Sequence, residues 1–329
     1  LRTYLLSGVV AATLVLPAFA DEPAATAVDP TLGTIHSPVG VVKTPEVYLG
    51  SIFPANVYTR AQHASGAVAL RNRGSGGIEV SNVVLPVKAA FIYWAVITSG
   101  TPPVAARSVQ IQRLGPTASA VATVAGTAIG TGASPCWSGD RITVYKAAVP
   151  ISVANGAGSY FIRLLPGASG STAGGNPWGS SPLPAMEGAT LVIVGTNRTG
   201  TVSLFDSGLA GGTFNSYLGY YLNLPVASSG RNVIIDLIGA DGQIGDARDA
   251  NSSTTLEYTY INGSLIAGPS SNFRDSDWNG GIGQPLPQLW DTIGHQITSQ
   301  APVGTTQLYV DMYAYGDCLT PVANVVTQF

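Results

Sequence analysis

The sequence predicts an all-β chain: an antiparallel β-sandwich of jelly-roll or immunoglobulin-like type, one large sandwich or two abutting ones. Three observations predict it. Apolar residues come in strand-length blocks, 40 glycines and 22 prolines punctuate those blocks, and only 10% of residues are charged, against about 25% in ordinary soluble domains. No segment keeps a helical period over three turns. Strands separated by Gly, Pro, Asn and Ser turns, without helices between them, favour antiparallel sheets.

The first element is LRTYLLSGVVAATLVLPAFA, residues 1–20. Arg2, the apolar run from Leu5 to Leu16 and the small-x-small step Ala18-Phe19-Ala20 read as an export signal, cut before Asp21. The run is shorter than the roughly 20 residues of a membrane span. An extracellular or cell-surface protein with no transmembrane segment after cleavage is therefore expected. Residues 21–50 read as an extended Pro-rich arm, with Asp29-Pro30, Ser37-Pro38 and Thr44-Pro45 opposing helix and a short strand expected at Val39–Val42. Residues 51–329 form the β-sandwich region, with a subdivision near 188–200 left open.

Within that region Ala89–Ile97 is apolar on both faces and predicts a central strand covered on both sides. Ser108–Gln112 alternates and predicts a half-buried one. Further strands are expected at Arg141–Val149, Ser159–Leu165, Ala189–Val194, Thr201–Phe205, Asn232–Ile238 and Leu256–Ile261. Asn262-Gly263 follows the last of these as a hairpin signal. In Gln307–Tyr315, Leu308, Val310, Met312 and Ala314 share one face, and Tyr309, Tyr313 and Tyr315 share the other. Residues 166–187 read as a long Gly/Ser/Pro insertion.

Cys136 and Cys318 are the only cysteines, and an even pair in an exported chain predicts a disulfide. A net charge of −3 with no basic run excludes the concentrated positive footprint that nucleic-acid binding needs.

Several pieces, in order, carry a family resemblance over about residues 80–329. They are Lys88-Ala89-Ala90-Phe91-Ile92-Tyr93-Trp94, Pro135-Cys136-Trp137, Asn155-Gly156, Asn176-Pro177-Trp178, Glu187-Gly188-Ala189-Thr190-Leu191-Val192-Ile193-Val194, Leu289-Trp290-Asp291 and Asp317-Cys318-Leu319. Together they resemble a family of exported bacterial and archaeal proteins whose characteristic domain has no assigned function. The resemblance implies an extracellular β-sandwich, often carried on cell-surface proteins, with the two cysteine motifs meeting. It carries over no catalytic residue.

Candidate sites are few. Asp236, Asp241, Asp246 and Asp249, and Asp275, Asp277 and Asn279, alternate with small residues in a way that can wrap a calcium ion. Asp241, Asp246 and Asp249 are the leading candidates; turn-capping is the plainer role for such residues. Trp137, Trp178, Trp278 and Trp290 could stack on sugar rings, with Trp178 and Trp278 the candidates, although such residues commonly plug cores. His36, His63 and His295 lack a G-x-S-x-G elbow; His63 is expected in a loop, and an Asp291–His295 contact is conceivable. Glu187 and Glu257 could serve a glycosidase only as part of a carboxylate pair. No catalytic set emerges. The expected role is structural or adhesive: a subunit of a surface layer, sheath or filament, joined to copies of itself or to other surface components through the arm. The alternative is a carbohydrate-binding module with a glycan partner, and a secreted hydrolase ranks third.

Overall fold

A computed structural model of the chain describes residues 47–133, 140–174, 182–214, 217–240, 256–267, 278, 289–315 and 318–329. The export segment, residues 21–46 of the arm and the Val39–Val42 strand lie outside these. The described residues hold seventeen strands and one short 3-10 turn, Val104–Arg107. The strands are β1 (Val47–Ile52), β2 (Asn56–Ala69), β3 (Ser75–Val80), β4 (Val87–Thr98), β5 (Ser108–Arg113) and β6 (Ala122–Ala125). Next come β7 (Thr127–Ala133), β8 (Arg141–Ala148), β9 (Gly158–Leu164), β10 (Ala185–Phe205), β11 (Tyr217–Asn223) and β12 (Val233–Ala240). The last are β13 (Leu256–Ile261), β14 (Ser264–Ala267), β15 (Trp290–Gln296), β16 (Gln307–Tyr315) and β17 (Thr320–Gln328).

Three sheets result. One has five strands ordered β1-β11-β16-β13-β14, one has four ordered β3-β9-β5-β6, and the largest runs β15-β12-β17-β10-β4-β8-β7 with β2 also on β10. All pairings are antiparallel except β1 on β11, which is parallel. The all-β sandwich expectation therefore holds.

The doubly apolar segment is β4, and its alternation divides two cores. Ile92, Trp94 and Val96 meet the four-stranded sheet through Val109, Ile111 and Ile162. Tyr93, Ala95 and Ile97 point the other way, to Ile238, Ala240 and Val325 of β12 and β17. The far faces of β12 and β17 pack Ile235, Leu237 and Val326 on the five-stranded sheet. Burying both faces of central strands explains why these segments are so uniformly apolar.

Two sequence expectations change. Ala189–Val194 and Thr201–Phe205 belong to one 21-residue strand, β10. The polar step between them is a bulge rather than an end, because Asn197 Oδ1 accepts the N–H groups of Thr199 (3.0 Å) and Gly200 (3.3 Å), satisfying the backbone locally. Below the bulge β10 pairs with β4 and above it with β17, so one strand joins the two halves of the large sheet. The insertion 166–187 likewise ends inside β10, where buried Glu187 binds buried Arg71 through Oε1 (3.0 Å) and Oε2. The Asn262-Gly263 step joins β13 to β14 with φ of 49° and 77°, the left-handed pair that a tight hairpin requires.

Candidate functional site

The outer face of the five-stranded sheet gathers tyrosines. Register places them in rows. Tyr217 (β11), Tyr313 (β16) and Tyr258 (β13) stand side by side. In the next row Tyr48 (β1), Gly219, Asp311 and Tyr260 follow one another, and Tyr221 pairs with Tyr309 in the third. Seven of the chain's 14 tyrosines thus share one face. The strand period of two produces it: Leu218, Tyr220, Leu222, Leu308, Val310 and Met312 enter the core, so their neighbours must point out.

The rings touch. Tyr217 and Tyr313 have centroids 4.3 Å apart, Tyr221 and Tyr309 4.8 Å, and Tyr260 and Tyr313 5.8 Å. Tyr48 stands edge-on to Tyr221 at 6.3 Å and is 53% exposed. At the centre Asp311 Oδ2 accepts from the Tyr217 hydroxyl at 2.9 Å. Its Oδ1 is buried and makes no hydrogen bond. Gly219, its cross-strand neighbour, presents no side chain beside it.

Burial pushes the Asp311 carboxyl up to about 6, against the pull of the Tyr217 hydrogen bond. Burial also raises Tyr217, Tyr309 and Tyr260, the last to about 12; neighbours push Tyr217 and Tyr260 further, while the Tyr217 hydrogen bond pulls against the rise of Tyr309. These three phenols therefore remain hydroxyls at neutral pH. The face offers ring surfaces and neutral O–H groups, with one buried carboxyl beneath them. No cationic side chain stands among these residues.

The residues expected from sequence fare differently. Asp241, Asp246, Asp249, Trp137, Trp178 and Cys136 lie outside the described residues, as do Asp275, Asp277 and Asn279. Cys318 is fully buried and is no free thiol. Trp278 is 2% exposed, donates its indole N–H to Thr259 Oγ1 at 2.9 Å and covers Gly239. It is a core plug and offers no ring face to a sugar. Trp290 is equally buried, bonded to Thr190. Glu187 is committed to Arg71.

His63 lies on β2, not in a loop, because the alternating small and polar residues of that strand pair along β10. Its Nε2 is 3.0 Å from Asp236 Oδ2 and its Nδ1 2.5 Å from Thr327 Oγ1. Ser65 donates to the same Asp236 oxygen. Burial raises the Asp236 carboxyl, but the His63 charge and the His63 and Ser65 hydrogen bonds prevail and hold it below its ordinary value. A hydroxyl–imidazole–carboxylate chain is a catalytic pattern. Here Thr327 is 1% exposed, so its hydroxyl cannot reach a substrate, and the group reads as a buried polar latch between β2, β12 and β17. His295 is on β15, in register with Ile235.

No family model and no curated protein matches the sequence. Among solved structures, the chain is similar to the ANX2 ectodomain of Arabidopsis thaliana at 8% identity, covering 82% of this chain and 88% of that one, with a TM-score of 0.25. Wild-type BuGH86 in complex with neoagarooctaose gives 9% identity, 82% and 32% coverage and a TM-score of 0.22. PNGF-II gives 8% identity, 82% and 65% coverage and a TM-score of 0.25. Among the described residues no helix is long and apolar enough to cross a membrane.

Proposed function

We propose that this chain is an exported, non-catalytic cell-surface protein that holds a neutral carbohydrate on the tyrosine face of its five-stranded sheet. The lattice of seven tyrosines around Asp311 carries this reading. Tyrosine offers a flat apolar body for sugar C–H groups and a hydroxyl for sugar oxygens, at little cost in ordering. Asp311 lies beneath the rings with its Oδ1 buried, so the rings and hydroxyls make the contact, and among the described residues no cationic side chain stands on the face to draw an anionic ligand. Glycan-array binding followed by calorimetry tests it. Tyr48→Ala and Tyr221→Ala should each weaken binding about 10-fold or more, as loss of a central aromatic contact does. An array with no ligand, or unchanged affinity in both variants, overturns it. Concentration-dependent dimerisation lost in the same variants would make the face a self-association surface instead.

A second reading concerns assembly, and β1 favours it. This strand closes the edge of the five-stranded sheet by parallel pairing on β11, before the short Phe53-Pro54-Ala55 connection. The same strand supplied by a neighbouring copy would make the same backbone bonds, which is how strand addition builds filaments. Truncation to residue 53 should abolish any filaments of the mature protein, as seen by electron microscopy; unchanged filaments would reject the idea.

A further inference from the structure

We propose that Lys146 and Asn56 join through an intramolecular amide bond, with Asp206 carrying the proton. Lys146 reaches from β8 to within 2.6 Å of Asn56 Oδ1 at the start of β2 and 2.5 Å of Asp206 Oδ2 just beyond β10. The carboxamide carbon lies one bond behind that oxygen. Asp206 is fixed in place: Tyr93 donates to Oδ2 at 2.9 Å, and the N–H and hydroxyl of Ser207 hold Oδ1 at 2.7 and 3.1 Å. The amine lies over the rings of Phe91 and Tyr93, at 4.6 and 5.6 Å from their centroids. Side-chain exposure is 13% for Lys146 and 1% for Asp206.

An amine, a carboxamide and a carboxylate held together behind aromatic walls are the parts of an amide transfer. In water the reaction is negligible because lysine is protonated and asparagine is a poor acceptor. Fixed contact can supply an effective concentration of about 10⁵ M or more, and a positioned carboxylate moves the proton. Asp206 takes a proton from the Lys146 ammonium. The neutral Nζ adds to Asn56 Cγ, and Asp206 returns the proton to the departing Nδ2. The Cγ–Nδ2 bond then breaks and ammonia leaves, taking up the second Nζ proton as ammonium. One C–N bond forms, one breaks, and nothing is oxidised or reduced. Afterwards Tyr93 and the new amide N–H both serve Asp206. The bond would tie β2 to β8, 90 residues apart in sequence, alongside any ligand or assembly role.

Tryptic mapping of the full-length purified protein by mass spectrometry tests this. The expected product is a branched peptide joining residues 44–60 to 142–163, uncut at Lys146 and lighter than the two chains together by one ammonia. It should vanish in Asp206→Asn, with near-ultraviolet circular dichroism reporting the fold, and in Lys146→Arg. Linear peptides cleaved after Lys146 in the wild type would overturn the proposal, whatever the variants do. So would loss of water with the branch at Asp206, which marks a different bond.

Discussion

The indole of Trp290 lies directly on Gly188: a Cβ placed there would come within 2.3 Å of the ring. The ring belongs to β15 and the glycine to β10, strands that are not neighbours in their sheet. Gly239 stands in the same relation to Trp278, at 2.1 Å. Gly188→Ala should destabilise the chain by about 1–3 kcal/mol, the usual result of overfilling a close-packed core. Gly100→Ala, with nothing within 4 Å, is the control. Urea denaturation of the three proteins compares them directly.

Both members of that pair lie in segments quoted from the sequence, Glu187–Val194 and Leu289-Trp290-Asp291, yet their meeting could not be read there. Periodicity reports which face of a strand is buried, as it did for β4 and β16, and turn chemistry reports hairpins, as Asn262-Gly263 did. Neither reports which strands become neighbours. The tyrosine face shows the consequence. Tyr309 and Tyr313 were legible as one strand's outer face, but Tyr217, Tyr258 and Tyr260 join them only through register. Tyr220 obscured the signal further, since it follows the same run yet points inward to Asn324, whose amide donates to its hydroxyl at 2.8 Å. β2 is hidden in the sequence for a different reason. Its NVYTRAQHASGAVA sequence alternates polar and small residues, and His63 finds a buried partner only because β12 brings Asp236 to it.

The His63–Asp236 pair should be expensive to break from one side. His63→Ala leaves a buried carboxylate with the Ser65 hydrogen bond and the weaker influence of His295, and a loss of about 3–5 kcal/mol is expected. Because the folded Asp236 carboxyl lies below its ordinary range, its contribution is present above the unfolded value and is lost as pH falls through the folded one. Acid denaturation of the wild type against His63→Ala checks this: the difference between them should shrink toward low pH.

Cys318 has one possible partner by sequence, Cys136. The expected bridge closes a loop of about 180 residues, for which chain entropy gives an upper bound of about 5 kcal/mol. Thiol titration of the denatured, unreduced protein should find no reactive cysteine. Reduction should then lower the melting temperature by several degrees. A titration that finds two thiols rejects the pairing.

Asp311 behaves oppositely to Asp236, and its pH dependence reports on the tyrosine face. Its folded carboxyl is raised to about 6, above the unfolded value of about 3.9. The folded state therefore holds this proton more tightly than the unfolded chain does. That contribution is fully present below the unfolded value and is lost as pH rises through about 6, where a carboxylate forms beneath the tyrosines with Tyr217 as its donor. Asp311→Asn keeps the shape and removes the charge. The mutant should gain stability relative to wild type as pH rises from 4 to 7, with most of the gain between the unfolded and folded values. A carbohydrate laid on the tyrosine rings does not reach the buried Oδ1; it deepens the burial of the carboxyl, favours the protonated form and raises the pKa further on binding. Melting curves across this pH range, with and without ligand, should then show ligand stabilisation falling as pH rises in wild type and flat in Asp311→Asn. Parallel curves for the two proteins would show that Asp311 does not govern the face.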